Sequence, residues 1–181
     1  MIIGKKIILR TVRESDLAEL FELRADIRNM GDYWPLHMLS EAKDRKRFSE
    51  TGWWEDDHGS LLITDRQNVI LGQVNFYKAS PVQNAYEVGY RIYTPENRGK
   101  GYTTEAVSLF VAFLFETKPV DRIQALILPD NAASRRVLEK CGFTFEGVLR
   151  RALFHGGQNI DLHVYSLLRD ESRSLKEQLA Q

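Results

Sequence analysis

Apolar residues along this chain keep two rhythms: adjacent or alternating positions in short runs, and spacings of three to four in longer ones. Ile7-Ile8-Leu9-Arg10 predicts a short strand. Leu17, Leu20, Phe21 and Ile27 then recur at helical spacing behind Glu14-Ser15-Asp16, whose acids suit the positive end of a helix. Residues 31–39 break the pattern with an aromatic, irregular stretch that includes Tyr33, Trp34, His37 and Met38, and the polar residues 40–51 are helix-compatible. Residues 60–64 and 69–77 predict a hairpin about the turn 65–68, and residues 86–92 a third strand beyond a loop at 81–84. A glycine-containing loop at 95–101 leads to a helix with Ala106, Val107, Phe110, Val111 and Leu114 on one face. Residues 122–128 predict a strand, and Pro129-Asp130-Asn131 turns the chain into a helix through Val137 and Leu138 that Gly142 ends. Strands are expected at 143–148 and 162–168, with His155-Gly156-Gly157-Gln158 in their connection. The order predicts one α+β domain over residues 1–170, and a polar, frayed tail over 171–181.

Composition narrows the function. With 181 residues, 43% hydrophobic and 28% charged, the chain reads as a globular domain that folds on its own core. Lys+Arg and Asp+Glu number 25 each, and zero net charge argues against a general nucleic-acid binder while permitting self-association into a homodimer. Cys141 stands alone, so an intrachain disulfide and a cysteine-rich metal site are excluded and a reducing cytoplasm is the expected setting. No His/Asp/Glu grouping has metal-ligand spacing. The start of the chain does not read as a signal peptide, and no apolar run reaches the roughly 18 residues of a membrane span.

The loop Arg98-Gly99-Lys100-Gly101 has the makings of an anion site. Glycines let successive backbone N–H groups face one concavity. The helix that follows adds unpaired N–H groups and a positive dipole end. Arg98 and Lys100 bring charge to the mouth, and a pyrophosphate fits such a site. The spacing matches neither the nucleotide-triphosphate P-loop nor the dinucleotide fingerprint.

Four blocks then fall in order: Glu87-Val88-Gly89-Tyr90; Asn97-Arg98-Gly99-Lys100-Gly101-Tyr102-Thr103-Thr104-Glu105-Ala106; the run from Asn131 through Ser134, Leu138, Glu139 and Lys140 to Gly142-Phe143; and Asp161 with Tyr165-Ser166-Leu167-Leu168. Together they resemble the GCN5-related N-acetyltransferase (GNAT) superfamily, most closely its RimJ/RimL-type branch, over about residues 7–170. The resemblance implies a three-layer α+β fold: a twisted, mixed and mainly antiparallel sheet flanked by helices, with a V-shaped splay between two central strands, here 86–93 and 122–128. It implies acetyl-CoA as co-substrate and no metal. Pantetheine would lie in the splay along Val88, Gly89, Tyr90 and Ile92, the pyrophosphate on the amides of Arg98, Gly99, Lys100, Gly101, Tyr102 and Thr103, and Asn131 would contact the pantetheine arm or the loop beside it.

Acetyl transfer to an amine requires loss of the amine proton, donors for the tetrahedral oxyanion, and a tolerated thiolate leaving group; direct attack needs no enzyme nucleophile. Glu87, among Tyr86, Val88 and Tyr90, is the candidate general base, with a carboxylate on a solvent-facing strand edge or in a substrate-orienting salt bridge as the alternatives. The N–H groups near Val88 and Gly89 are candidate oxyanion donors. Ser134 is the candidate partner of the sulfur, since Leu138 stands where many members of the superfamily have a tyrosine. Trp34, His37, Asp161 and Tyr165 are candidates for the acceptor site, with core or surface packing as the alternative for each; Trp53 and Trp54 share that ambiguity. The expected activity is N-acetylation of a protein N-terminal α-amine or of a small-molecule amine. A non-catalytic acyl-CoA-binding module is the alternative.

Overall fold

A computed structural model of the chain describes residues 1–34, 38–80 and 83–180, so the expectations placed on His37 and on part of the 81–84 loop lie outside the described residues. Eight strands form one sheet: β1 (Ile2–Ile3), β2 (Ile8–Thr11), β3 (His58–Thr64), β4 (Ile70–Lys78), β5 (Ala85–Ile92), β6 (Arg122–Ile127), β7 (Thr144–His155) and β8 (Gln158–Leu168). Their spatial order is β1-β2-β3-β4-β5-β6-β8-β7, and every neighbouring pair is antiparallel except β5 and β6. The helices are α1 (Leu17–Ala25), α2 (Ile27–Met30), α3 (Glu41–Thr51), α4 (Tyr102–Thr117), α5 (Ala132–Lys140) and α6 (Leu175–Leu179). The α+β class and its flanked, mixed sheet are as the sequence predicts.

Period-two alternation gives the sheet two apolar faces and hence three layers. Leu61 and Ile63, Val74 and Phe76, Tyr86 and Val88, and Ile123 and Ala125 point to the principal core, where Ala106, Val107, Phe110 and Leu114 of α4 meet them. On the opposite face Leu62, Ile70 and Tyr93 pack with Leu17, Leu20 and Phe21 of α1 and with Trp53. Burying one such aliphatic or aromatic side chain contributes about 1.5–3 kcal/mol, so these two clusters dominate the stability of the sheet.

Two segments differ from the sequence pattern. The last two strands are one long hairpin, 144–155 with 158–168, in place of two short strands. The register shifts beside Gly147 and again between Leu149 and Leu153, so strict alternation is lost there and a pattern search stops short. At the second shift the Arg151 N–H donates to Asp161 Oδ1 at 2.8 Å, replacing a ladder bond. The tail carries α6, where Ser174 and Glu177 form a capping box. Leu175 packs on the principal core and its N–H donates to Glu116 at 2.8 Å.

Candidate active site

The parallel strands β5 and β6 meet at three residue pairs only, Ala85 with Arg122, Tyr86 with Ile123 and Glu87 with Gln124. Beyond that pair β5 runs on to Ile92 and β6 to Ile127 without further pairing. Their separation opens a slot of about 550 Å³, and the β6-facing edge of β5 past Glu87 has no strand partner. Backbone polar groups on such an edge need a partner, and an extended amide-bearing chain supplies one in the manner of an added strand.

The mouth of the slot is the loop between β5 and α4. Gly99 and Gly101 hold φ of +73° and +83°, values that glycine adopts without the steric penalty of a Cβ. Gly101 is the N-cap of the 16-residue α4, so the first N–H groups of a long helix open into the slot beside Arg98 and Lys100. Lys6 Nζ donates to the Lys100 carbonyl at 3.1 Å, and the Lys6 N–H donates to the Glu105 carboxylate at 3.1 and 3.2 Å, which ties the loop and α4 to the β1–β2 connection. Val88, Gly89, Tyr90, Ile92, Arg98, Gly99, Lys100, Gly101, Tyr102, Thr103, Asn131 and Ser134 all line this one slot.

In the slot lining the Tyr90 hydroxyl lies 2.7 Å from Ser134 Oγ. Burial raises the Tyr90 phenol above its ordinary value, so it stays protonated at neutral pH. Ser134 sits in the first turn of α5, where its N–H donates to Asn131 Oδ1 at 2.9 Å; Asn131 is the helix cap as well as a slot residue. Leu138 is fully buried in the principal core and does not line the slot.

Glu87 lies at the apex of the splay, 7% exposed, on the sheet face opposite Val88. It is not among the slot-lining residues. The Tyr77 hydroxyl donates to Oε1, and Gln124 Nε2 donates to Oε2 at 3.0 Å. Burial and the Glu87 carboxylate together push the Tyr77 phenol up, so Tyr77 is the donor in that bond. Two donors thus fix the carboxylate, and each oxygen keeps a free lone pair. Sequence reasoning missed both donors. Tyr77 is legible in principle, because the antiparallel register places it opposite Glu87; Gln124 follows only from the parallel pairing.

The remaining candidates separate. Trp34 lines the slot, stacked on the Arg91 guanidinium with Cζ 5.1 Å from the ring centroid. Tyr165 is 4% exposed and packs in the principal core against Phe145, and Asp161 serves the β7 bulge; neither lines the slot. Trp53 packs edge-on against Phe48, and Trp54 against Phe76. Burial raises the Cys141 thiol, which sits 3.4 Å from Ser108 Oγ, so it behaves as packing. Among the described residues no group of three or more His, Cys, Asp or Glu is placed to hold a metal, and no helix is long and apolar enough to cross a membrane.

The family model for the acetyltransferase (GNAT) domain matches residues 6–144. The chain is 27% identical over 168 residues to the uncharacterized N-acetyltransferase YoaA of Bacillus subtilis, covering 91% of this chain and 94% of that protein. Among solved structures it resembles RimL, a ribosomal-protein alpha-N-acetyltransferase in complex with coenzyme A, with TM-score 0.80, 22% identity, and coverage of 94% of this chain and 98% of that one. It also resembles spermidine N-acetyltransferase from Vibrio cholerae in complex with CoA and spermine, with TM-score 0.79, 20% identity, and coverage of 91% and 96%. At these identities the two structures establish the fold. The family match spans most of the chain, and with the slot between β5 and β6 it leads to one statement: the protein belongs to the GNAT family and is an N-acetyltransferase.

Proposed function

We propose that the chain transfers the acetyl group of acetyl-CoA to a primary amine by direct attack. The observation that carries this reading is the slot itself. It opens past Glu87 and Gln124, and its lining brings together the glycine loop, the α4 N-terminus, Tyr90 and Ser134. The loop suits the pyrophosphate, and the two hydroxyls suit the thioester, of one extended molecule. The RimL and spermidine N-acetyltransferase structures that share the fold contain CoA, which supports the same choice of donor.

In this reading the amine nitrogen attacks the thioester carbonyl carbon, the C–S bond breaks and an amide forms. The amine proton passes through an intervening water to Glu87, whose carboxylate Tyr77 and Gln124 hold in place. Backbone N–H groups of Val88 and Gly89 receive the developing oxyanion. The departing sulfur is hydrogen-bonded by Ser134, which Tyr90 orients. Proton transfer from that pair is uphill. The Tyr90 phenol lies above its ordinary value, whereas a thiol titrates near about 8.5. The thiolate therefore leaves hydrogen-bonded and takes its proton from solvent.

A thiol-release assay with acetyl-CoA and a panel of amines, covering peptide N-termini, amino acids and polyamines, tests the proposal. Turnover on at least one class supports it. Tight acetyl-CoA binding with no product on any acceptor identifies a binding module instead.

A further inference from the structure

On the sheet face that carries Glu87, the next two outward positions of β5 are Gly89 and Arg91. Arg91 lines the slot. Its guanidinium lies between two aromatic rings, with Cζ 5.1 Å from the Trp34 centroid and 4.7 Å from that of Tyr93. Nε and Nη1 are buried and have no hydrogen-bond partner among the described residues. Among the described residues no carboxylate forms an ion pair with it. Asp44, on the neighbouring α3, is taken by Arg24 at 3.1 Å, and Asp32 is the one carboxylate that lines the slot. Burial pulls the Arg91 pKa down, the Tyr93 phenol beside it pulls part of that back, and the nearby Arg24 lowers it further.

A desolvated guanidinium without a counter-charge is costly to hold. Aromatic faces offset part of the loss, but they leave Nε and Nη1 without acceptors. One strand over, Asn75 Oδ1 is also buried without a partner, directly beneath Gly89, where a Cβ would lie 3.0 Å from it. An unfilled donor and an unfilled acceptor thus flank the place where β5 passes the thioester end of the slot. A polyamine, which brings only positive charge and donors, leaves the guanidinium unmatched.

We infer that Arg91 is a specificity-determining residue that binds a carboxylate on the acceptor, so that the substrate is a primary amine carrying a carboxylate and not a polyamine. The inference rests on the acetyl-transfer reading above. Strand geometry gives the ruler: Gly89 and Glu87 lie two and four residues from Arg91, about 7 and 13 Å along the strand. With the reach of the arginine side chain, this fits a carboxylate several bonds from the amine, as in an acidic side chain near a peptide N-terminus or in an amino dicarboxylic acid.

The experiment compares a short peptide amide with glutamate at its second and third positions, the same peptide with glutamine there, free glutamate and spermidine. KM and kcat are measured, along with calorimetric affinity for the CoA-loaded protein, which needs no turnover. The wild type should favour the glutamate peptide or free glutamate over the glutamine peptide by about tenfold or more in KM or Kd, as expected for a charge-assisted hydrogen bond. Which of the two is favoured separates a peptide side chain from a free amino acid as the source of the carboxylate. Arg91→Gln should erase the discrimination, and Arg91→Lys should retain part of it. A merely structural arginine would instead weaken all acceptors alike. Equal affinities for the glutamate and glutamine forms, or spermidine as the preferred acceptor, overturn the inference. If no amine turns over, the activity reading fails, and the calorimetric comparison still decides the role of Arg91. Should Arg91→Gln fail to fold, Arg91→Lys and the wild-type comparison carry the test.

Discussion

The Tyr90 hydroxyl and Ser134 Oγ are 2.7 Å apart, joining β5 to α5 in the lining of the slot. One residue comes from the strand that carries the splay and the other from a helix 44 positions on, so the contact exists only because β6 brings α5 back over β5. If the pair hydrogen-bonds the leaving sulfur as a unit, Ser134→Ala and Tyr90→Phe should each lower kcat by about five- to thirtyfold, the size of one lost hydrogen bond of 1–2 kcal/mol. The double variant should be little worse than either single one. Steady-state kinetics on the three variants checks this; effects that simply multiply would mean that the two hydroxyls act separately.

Glu87→Gln should reduce the rate at neutral pH by about 10²–10⁴ and flatten the rise of rate with pH, as removal of a general base does. Gln124→Ala removes the donor to Oε2 and should lower kcat with little change in the KM for acetyl-CoA, because Gln124 does not line the slot. A pH–rate profile of Glu87→Gln that overlays the wild type would remove Glu87 as the base and leave it as a clasp between β4, β5 and β6.

Gly99→Ala and Gly101→Val address the mouth of the slot. A Cβ at Gly99 meets nothing within 4 Å, so the penalty is the backbone conformation alone, about 1–2 kcal/mol for an L-residue. At Gly101 a Cβ would also lie 3.3 Å from Lys6 Nζ. Both variants should bind CoA at least about tenfold more weakly as the loop amides turn away. Isothermal titration, with a melting curve to show that the fold persists, is the measurement; unaltered affinity in both would refute the pyrophosphate assignment.

Arg10 and Asp16 form the buried ion pair beneath α1, with side chains 4% and 8% exposed and Nη2 2.9 Å from Oδ1. Burial opposes ionisation of Asp16, but the Arg10 hydrogen bond and the Arg13 N–H outweigh it and hold the carboxyl below its usual 3.8. A depressed carboxyl pKa gives stability that is complete above 3.8 and lost as pH falls below that value through the folded-state pKa. Asp16→Asn leaves a buried guanidinium without its counter-charge and should lower stability by about 3–5 kcal/mol near neutral pH. The gap from the wild type should narrow in acid below pH 3.8. Urea unfolding of both proteins across that range measures it.

Local pattern and turn chemistry made most of the elements legible. Leu17, Leu20 and Phe21 mark α1 because a buried helix face repeats every three to four residues, and β3 and β4 read as a hairpin because alternation brackets a polar turn. The long β7–β8 hairpin was not legible past Val148, because two shifts in register erase the alternation on which such a reading depends. Tyr165 and Asp161 show the same limit at the level of the site. A strand's period tells which residues share a face, but not whether that face meets a slot, a core or a bulge.

By itself the sequence determined the glycine loop ahead of α4, the asparagine-capped α5 with Ser134, and the order of elements that places both around β5, since each is written in contiguous residues. Tertiary structure alone decided three things. It ended the β5–β6 pairing at Glu87 and Gln124, it clamped Glu87 between Tyr77 and Gln124, and it left Arg91 between two rings with Nε and Nη1 unmatched among the described residues. Each depends on residues distant in the chain and on where paired strands part, and neither propensity nor spacing along one segment contains that information.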